Sequence, residues 1–374
     1  FNIAGFNLDK DVLSWIKDWK EGDEIIDLFF MLAAIKLALD DGKIDYHSED
    51  NEIGLVVSHE NISLVPFFEK VMKTAYSILG GTEKKVSQKE FYEKVYKTCY
   101  KSGYDVQPFM TLFHAAKVFN IHRHSLFICN ACASGLYAVE TASEIIRNEH
   151  SPIMVVAASD HADVIKYLWF KDIGIYSKQG LTRPFSKDSD GFIFGDAGIA
   201  LVLEDYDHAK KRKAKIYAEY LGGGFSLESW QVTMPQVGSN YYQKAIEGAL
   251  EKSGTKNSEI DLICPHGVGS HVTDFYESKA INDVFIRGKK IPSISAFKPY
   301  VGHTLGASAL LETAILLMCL KNQIILPTLN CENVNPQYKI KPVSEITKTK
   351  LNNVMKTSAA FAGYNASAVF AKIN

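Results

Sequence analysis

The sequence predicts an α/β fold in which two halves of similar element order meet near residue 206. Short apolar runs typical of buried strands alternate with segments of helical periodicity along most of the chain. Such alternation favours mainly parallel sheets covered by helices. The second half, from about residue 214, restarts the same order of strands and helices. This repetition indicates an internal duplication, although the halves share no strong sequence similarity.

The first half is predicted to open with an apolar helix over residues 25–41 and a buried strand over 53–57. A polar, lysine-rich segment with helical patches follows between about 60 and 105 and is interpreted as an insertion or cap. The remaining elements of this half are a strand at 125–129, a helix at 133–148, and strands at 153–157 and 198–204.

The second half is predicted to start with a strand and a helix and to end with two late strands. Its predicted elements are strand 214–220, helix 241–254, strand 260–264, helix 274–287, a short strand at Ile294, helix 306–321, and strands near 353–360 and 367–373.

The composition is that of an ordinary globular protein, with 47% hydrophobic and 22% charged residues and a net charge of −2. With this net charge the chain has no overall excess of basic residues that would indicate a nucleic-acid partner. The six cysteines show no disulfide framework and no repeated pair at zinc spacing, which predicts reduced thiols in the cytoplasm and no metal site. The apolar stretch 307–320 is interrupted by Glu312 and is predicted to be a buried helix rather than a membrane span.

Cys132 is the predicted nucleophile. The segment 130–135 reads N-A-C-A-S-G, and the thiol lies between the end of a predicted strand and the start of a predicted helix. A helix N-terminus favours the thiolate, so the sequence predicts a lowered pKa for Cys132. Small residues beside it allow a substrate to approach closely, as in nucleophile elbows. Taken alone, the pattern fits a buried structural cysteine about equally well.

Two histidines follow later predicted strands in glycine-bounded loops. His266 stands in P-H-G-V-G-S after strand 260–264, and His303 ends the segment K-P-Y-V-G-H that begins at Lys298. Ligands of α/β sheets bind at the carboxyl ends of parallel strands. Lys298 is expected to reach a carboxylate such as Glu277. A thiol and two imidazoles at strand ends supply a nucleophile and two donors or bases.

At this point the sequence resembles the elongating β-ketoacyl-acyl-carrier-protein synthases of the thiolase superfamily over nearly its whole length. The family's T-A-C-A-S-G is N-A-C-A-S-G here. Its H-G-T-x-T with N-D-x-x-E is similar to residues 266–277, and its K-x-x-x-G-H to residues 298–303. Its F-G-F-G-G-T-N is similar to residues 359–365, and its R-P-F to D-G-F segment to residues 183–204. Five matches in order make the resemblance specific.

The resemblance implies a duplicated thiolase fold of five αβαβα layers, with the nucleophile in residues 1–206 and the histidines in residues 207–374. Cys132 would take an acyl group from the phosphopantetheine arm of an acyl carrier protein. A malonyl carrier would then lose CO2 beside His266 and His303, whose N–H groups stabilise the enolate. The carbanion would attack the acyl-cysteine in fatty acid or polyketide elongation.

Supporting roles also follow from the resemblance. The backbone N–H groups of Cys132 and Phe361 would form an oxyanion hole, with Phe361 as the gate of the acyl site. Ser270 and Val268 would face the pantetheine arm, where Val268 lacks the hydroxyl of the family's threonine. Further residues expected at the site are Lys298 and Glu277, as a pair that organises it, and Asp274, Gly302 and Asn365, as structural residues. No bound cofactor is expected.

Several departures from the family pattern favour a specialised synthase that makes a polyketide or polyene chain. Ala360 and Ala362 replace glycines around the gating Phe361, and alanine at positive φ costs about 1 kcal/mol relative to glycine. The gate is therefore predicted to be stiff.

The family usually forms homodimers, and a heterodimer with a related subunit is the alternative.

Four alternative functions are compatible with this fold and differ in the site residues that they require. A non-catalytic chain-length subunit of a heterodimer typically lacks the cysteine, and Cys132 is present. A simple acyltransferase on the same fold would not need the second histidine. A degradative thiolase needs a further active cysteine in the turn that here is 361–363, and an initiating synthase has asparagine in place of His303.

The start of the sequence presents a separate question. The family opens with a strand of the type V-V-I-T-G, expected at the centre of the first sheet, whereas residues 1–6 resemble a stretch further along. Loss of a central strand should expose core residues. Either ordered residues precede this sequence or another segment takes the strand's place.

Overall fold

The computed structural model describes residues 2–3, 6–7, 26–48, 50–60, 64–79, 87–99, 107–286 and 291–373. The strands are β1 Asn2–Ile3, β2 Phe6–Asn7, β3 Ile53–Ser58, β4 Ser125–Ile128, β5 Ile153–Asp160, β6 Ala197–Glu204, β7 Glu219–Leu227, β8 Ile260–Cys264, β9 Ser293–Ile294, β10 Ile324–Ile325, β11 Thr347–Lys348, β12 Asn353–Ala359 and β13 Tyr364–Ala371. The helices are α1 Ile26–Gly42, α2 Leu64–Leu79, α3 Gln88–Cys99, α4 Pro108–Val118, α5 Ser134–Arg147, α6 Val164–Asp172, α7 Tyr206–Lys211, α8 Tyr241–Ser253, α9 His271–Phe285, α10 Lys298–Val301 and α11 Ser308–Asn322.

Two mixed sheets carry the fold and repeat one strand order. The first runs β4-β3-β5-β6, with β6 antiparallel to the three parallel strands before it. The second runs β9-β8-β12-β13-β7, with β13 antiparallel to its neighbour β12. Because β4, β3, β5 and β6 correspond in order and direction to β9, β8, β12 and β13, the predicted internal duplication is confirmed.

Helices lie between the sheets and on both outer faces, which produces five layers. Helices α5 and α11 share one core cluster with residues of both sheets. Helices α1 and α4 cover the outer face of the first sheet, and α8 and α9 cover that of the second. Strand β5 is buried along its whole length and alternates between the central core and the outer core, as expected for a strand covered on both faces.

The apolar segment Leu305–Asn322 is long and hydrophobic enough to cross a membrane by length and composition, and it is the one such segment in the described part of the chain. Of this segment, 61% is buried inside the protein. It forms most of the central layer with α5, and the carboxylate of Glu312 in its middle is paired with two lysines. These contacts are those of a core helix.

One predicted strand position was wrong, whereas the helical patches predicted in the lysine-rich segment are confirmed. The strand expected at 214–220 is β7, which begins at Glu219. Its middle is a run of glycines, which carries little apolar signal. A Cβ on Gly224 would lie 2.1 Å from the Ala245 carbonyl oxygen, so the close approach of α8 requires glycine there. The described parts of the lysine-rich segment form α2 and α3, which pack on each other.

The central position expected for the family's opening strand is wrong, because the centre of the first sheet is occupied: β3 pairs with β5 along its whole length and with β4 over Leu55–Ser58. The unpaired position is at the edge. In the second sheet, β7 covers the outer side of β13, but no strand in the described ranges pairs with the outer side of β6. All eight residues of β6 are only half-buried, and a cavity of about 530 Å³ lies along them.

Candidate active site

Cys132 lies in the turn between β4 and α5, as predicted. Its side chain is 6% exposed. Ala131, which precedes it, has a φ of 48°, a left-handed conformation that costs a non-glycine residue roughly 1–2 kcal/mol. The Ser134 hydroxyl closes this turn, accepting from the Asn130 N–H at 2.7 Å and donating to the Ala131 carbonyl at 2.6 Å. The strained turn therefore holds the thiol at the start of the helix.

The direction of the Cys132 pKa shift is opposite to the prediction. Burial raises the pKa of this thiol well above its usual value, and the nearby Glu60 and Asp160 carboxyls add to the effect. Lys298 opposes them. Helix placement alone would favour the thiolate, but removal of the thiol from water is the larger effect here. The resting side chain is therefore a neutral thiol.

Glu277 fixes the His266 loop by accepting hydrogen bonds from its backbone N–H groups. The backbone N–H groups of His266 and Gly267 donate to the two carboxylate oxygens of Glu277 at 2.7 and 2.8 Å. Glu277 is fully buried and also accepts from the hydroxyls of Tyr242 and Thr357. Four donors thus satisfy this carboxylate without a cation, so its observed contacts are those of a residue that shapes the loop.

Lys298 does not pair with Glu277, which corrects the prediction. Its Nζ lies 2.6 Å from Glu312 Oε1 and donates to the carbonyl oxygen of His266 at 2.6 Å. The sequence pattern marks Glu312 only as a charge within an apolar helix and does not predict it as a site residue. A carboxylate in the middle of a buried helix needs a partner, and that requirement was the available signal.

Both site histidines are neutral and share one tautomer. His303 Nδ1 accepts from the Leu305 N–H at 3.2 Å, and His266 Nδ1 lies 3.5 Å from the Lys298 ammonium. Burial and the positive charge of Lys298 lower the pKa of both rings well below the usual value. With Nδ1 engaged as an acceptor, the ring proton is on Nε2. The centroids of the two rings lie 5.5 Å apart, and the ring planes meet at 81°.

Gly302 fixes the direction of the His303 loop. Its φ is 73°, and a Cβ there would lie 2.5 Å from the Phe194 carbonyl oxygen. Only glycine fits this approach without strain. The neighbouring His303 N–H donates to Ile193 at 2.8 Å, and its ring packs edge-on against Phe192 at 4.8 Å.

Phe361 stands in a short turn between β12 and β13. Its ring stacks on Phe170 at 5.6 Å and 14° and meets Trp169 edge-on at 5.9 Å. Of its two alanine neighbours, Ala362 has a φ of 60°, whereas Ala360 is extended with a φ of −137°. The expectation that both positions are strained is therefore correct for Ala362 alone in this conformation.

The remaining predicted residues surround this centre. Asp274 is buried and accepts from the N–H groups of Phe185 and Gly269 at 2.7 and 3.2 Å, and burial raises its pKa to about 7. Asn365 donates to Glu228 at 2.9 Å behind the Phe361 turn. Val268 belongs to an apolar cluster that Phe361 packs against, and Ser270 precedes α9 without capping it.

An acidic cluster that the sequence did not predict lies near enough to Cys132 to affect the pKa of its thiol. Ligand atoms of Asp27, His59 and Asp160 lie within 4.8 Å of one another. Lys166 Nζ already contacts Asp160 at 2.6 Å. The adjacent Glu60 carboxyl has a pKa raised to about 7, first by burial and then by Asp160. Of these groups, the Glu60 and Asp160 carboxyls raise the pKa of Cys132 through space.

Two stacked sheets of one strand order, with a buried thiol and two buried imidazoles at strand ends, place the chain in the class of thiolase-fold proteins. Family models agree with this class: the "Beta-ketoacyl synthase, N-terminal domain" matches residues 29–209 and the corresponding "C-terminal domain" matches residues 217–332. The chain belongs to the β-ketoacyl synthase family.

Individual relatives agree with this assignment. A putative mitochondrial 3-oxoacyl-[acyl-carrier-protein] synthase from Schizosaccharomyces pombe is 29% identical over 65% of this chain and 60% of its own length. A solved β-ketoacyl synthase from Burkholderia phymatum is 26% identical, with a TM-score of 0.80 over 96% of this chain and 85% of its own. The ishigamide ketosynthase/chain length factor has a TM-score of 0.83 over 99% and 86% of the two chains at 24% identity, which shows the fold alone. The chain spans about 60% of the length of the curated relatives it matches.

Proposed function

We propose that this chain catalyses decarboxylative condensation of an acyl thioester on Cys132 with a malonyl thioester carried by an acyl carrier protein. The observation that carries the proposal is the pair of neutral imidazoles, His266 and His303, with Nδ1 engaged and Nε2–H available as donors. Two neutral donors on rings whose centroids are 5.5 Å apart suit the negative charge that develops on an enolate oxygen.

The loading step exchanges one thioester for another. Cys132 Sγ attacks the acyl carbonyl of the carrier thioester, the bond from that carbonyl to the carrier sulfur breaks, and the thiol proton passes to the released carrier thiolate. Because burial raises the pKa of Cys132, this proton is present at the start of the reaction. The backbone N–H groups of Cys132 and Phe361 are assigned to the carbonyl oxygen during the exchange.

Condensation follows on the loaded enzyme. The malonyl thioester loses CO2, and the electron pair of the broken C–C bond becomes an enolate held by the Nε2–H groups of His266 and His303. The enolate carbon attacks the acyl carbonyl on Cys132 and displaces the cysteine sulfur, which then recovers a proton from solvent. Donors of this kind are each worth about 3–4 kcal/mol in a transition state.

The partner assigned to the chain is an acyl carrier protein, with Ser270 and Val268 beside its pantetheine arm and no bound cofactor. The name of the yeast relative includes that carrier. We also assign a dimer, either with a second copy or with a related subunit, as in the ketosynthase/chain length factor neighbour. The relative's name places it in the mitochondrion, so the cytoplasm stays a prediction for this chain.

Intact-mass spectrometry tests the proposal. The protein is incubated with a panel of acyl carrier thioesters and then with malonyl carrier. We expect one acyl addition that maps to Cys132, is absent from Cys132→Ala, and is retained by the matched variant Cys129→Ala, whose thiol is exposed in the same loop. Malonyl carrier should then remove it as a β-ketoacyl product. Acyl addition that persists in Cys132→Ala would refute the assignment.

A further inference from the structure

Lys356 is a fully buried lysine that the proposed reaction does not use. It lies in β12, and its Nζ contacts three oxygens: Glu312 Oε2 at 2.5 Å, the Thr357 carbonyl at 2.7 Å and the Pro265 carbonyl at 3.0 Å. One carboxylate and two backbone carbonyls thus form an oxygen cage around the ammonium. Oxygen donors of this type are also the ones that hard cations prefer.

The cage is joined to the His266 loop. Lys356 binds the Pro265 carbonyl, and Lys298 binds the carbonyl of the next residue, His266, at 2.6 Å. Glu312 lies between the two ammonium groups with one oxygen on each. Two consecutive carbonyls of the loop are therefore held by cations, while the N–H groups of His266 and Gly267 are held by Glu277.

We propose that the Lys356 ammonium acts as a built-in monovalent cation that positions the His266 loop, and that removing its side chain converts the cage into a binding site for ammonium or potassium ions. Lys356 is a positioning residue, because its contacts are to Pro265, Thr357 and Glu312 rather than to reacting atoms. Only the part of the test that measures a rate depends on the proposed function.

The charge, and not only the volume, of Lys356 is needed at this position. An apolar side chain of similar size would leave two buried carbonyls and one carboxylate oxygen without this donor. The charged form persists in the fold: burial lowers the pKa of Lys356, but the neighbouring Cys264 and Glu312 outweigh burial, and the net shift is upward. Ammonium and potassium ions have the charge and nearly the size of the group that the cage now holds.

The test compares Lys356→Ala, which empties the cage, with Lys356→Met, which fills its volume without charge. Thermal midpoint and malonyl decarboxylation rate are measured in choline chloride, ammonium chloride and potassium chloride at one ionic strength. When ammonium or potassium replaces choline, we expect Lys356→Ala to unfold at a higher temperature and to decarboxylate malonyl carrier at least five times faster. Both effects should saturate as the ion concentration rises. For the native protein and for Lys356→Met, the thermal midpoint and the rate should each be the same in all three salts.

Two results would overturn the inference. One is a Lys356→Ala protein whose midpoint and rate in ammonium and potassium equal those in choline. The other is a Lys356→Met protein with the native rate, since it would show that no cation is needed. If Lys356→Ala does not fold in choline, refolding in ammonium chloride replaces the comparison, and equal failure in both salts counts against the cage. A native protein that does not decarboxylate malonyl carrier contradicts the proposed function alone, because the midpoint still reports ion binding.

Discussion

The Ser358 hydroxyl donates to the carbonyl oxygen of Cys132 at 3.2 Å, across 226 residues of sequence. The residue before it, Thr357, donates to Glu277 at 2.8 Å, and the residue before that is Lys356. Three successive residues of β12 thus contact the Cys132 backbone, the Glu277 carboxylate that shapes the His266 loop, and the oxygen cage. This strand is the physical link between the two halves of the site.

Ser358→Ala should weaken the placement of Cys132. Loss of one buried hydrogen bond lowers the free energy of unfolding by about 1 kcal/mol, since the Cys132 carbonyl is left without this donor. Chemical denaturation and the rate of Cys132 alkylation by iodoacetamide measure the two effects. Ser367→Ala is the matched control, because Ser367 is equally buried and its hydroxyl makes no hydrogen bond within the described residues. Equal stability losses in both variants would contradict the assigned role.

The histidines predict an acid limit to stability. Both have pKa values held well below the usual value by burial and Lys298, so the unfolded chain binds protons that the folded chain does not. Their contribution is present above the unfolded pKa of about 6.5 and is lost as pH falls toward the folded pKa values.

We therefore expect the free energy of unfolding to fall below about pH 6.5, with a smaller slope in His303→Gln. Denaturant titrations between pH 5 and 8 measure this slope. Replacement of the exposed His47 by Gln should leave it unchanged. His303→Gln should also slow malonyl decarboxylation far more than acyl loading, because loading requires the thiol and the oxyanion hole rather than the enolate donors. Equal loss of both steps would argue against separate roles.

Glu312→Gln should be among the most destabilising single changes in the protein. It leaves two buried ammonium groups, Lys298 and Lys356, opposite a neutral amide, and loss of one member of a buried charge group costs roughly 3–5 kcal/mol. Glu251→Gln, at an exposed position of α8, is the control and should change stability by no more than about 0.5 kcal/mol. A Glu312→Gln loss below that of a surface substitution would mean that the pairing is energetically unimportant.

The two alanines of the gate should respond in opposite directions to glycine. Ala362→Gly removes the cost of a left-handed alanine and should raise the free energy of unfolding by roughly 0.5–1 kcal/mol. Ala360→Gly, at an extended residue, only increases the freedom of the unfolded chain and should lower it by about 0.4–1 kcal/mol. Thermal unfolding of both proteins provides the comparison, and shifts of one sign in both would exclude this backbone assignment.

Much of the architecture follows from local patterns in the sequence. Apolar runs followed by small residues mark the strand predicted at 153–157 and the loops of Cys132, His266 and His303. The structure has all of them at the expected places, with the strand extended to Asp160. Local sequence patterns could not predict which carboxylate pairs with Lys298. Glu277 and Glu312 are both within reach along the chain, and only tertiary packing decides between them. The Cys132 pKa fails for the same reason, because burial is a property of the whole fold.

The half-buried strand β6 has a consequence for how the protein behaves outside a cell. Among the described residues no strand pairs with the outer side of β6, and an unpaired strand side offers a row of backbone donors and acceptors to any extended peptide that reaches it. A segment of the same polypeptide or a neighbouring molecule that pairs with this side would protect it. If it stays unpaired, molecules in concentrated solution can aggregate by pairing their β6 strands. The outer side of β6 is therefore a site where association would begin, separate from the chemistry at Cys132.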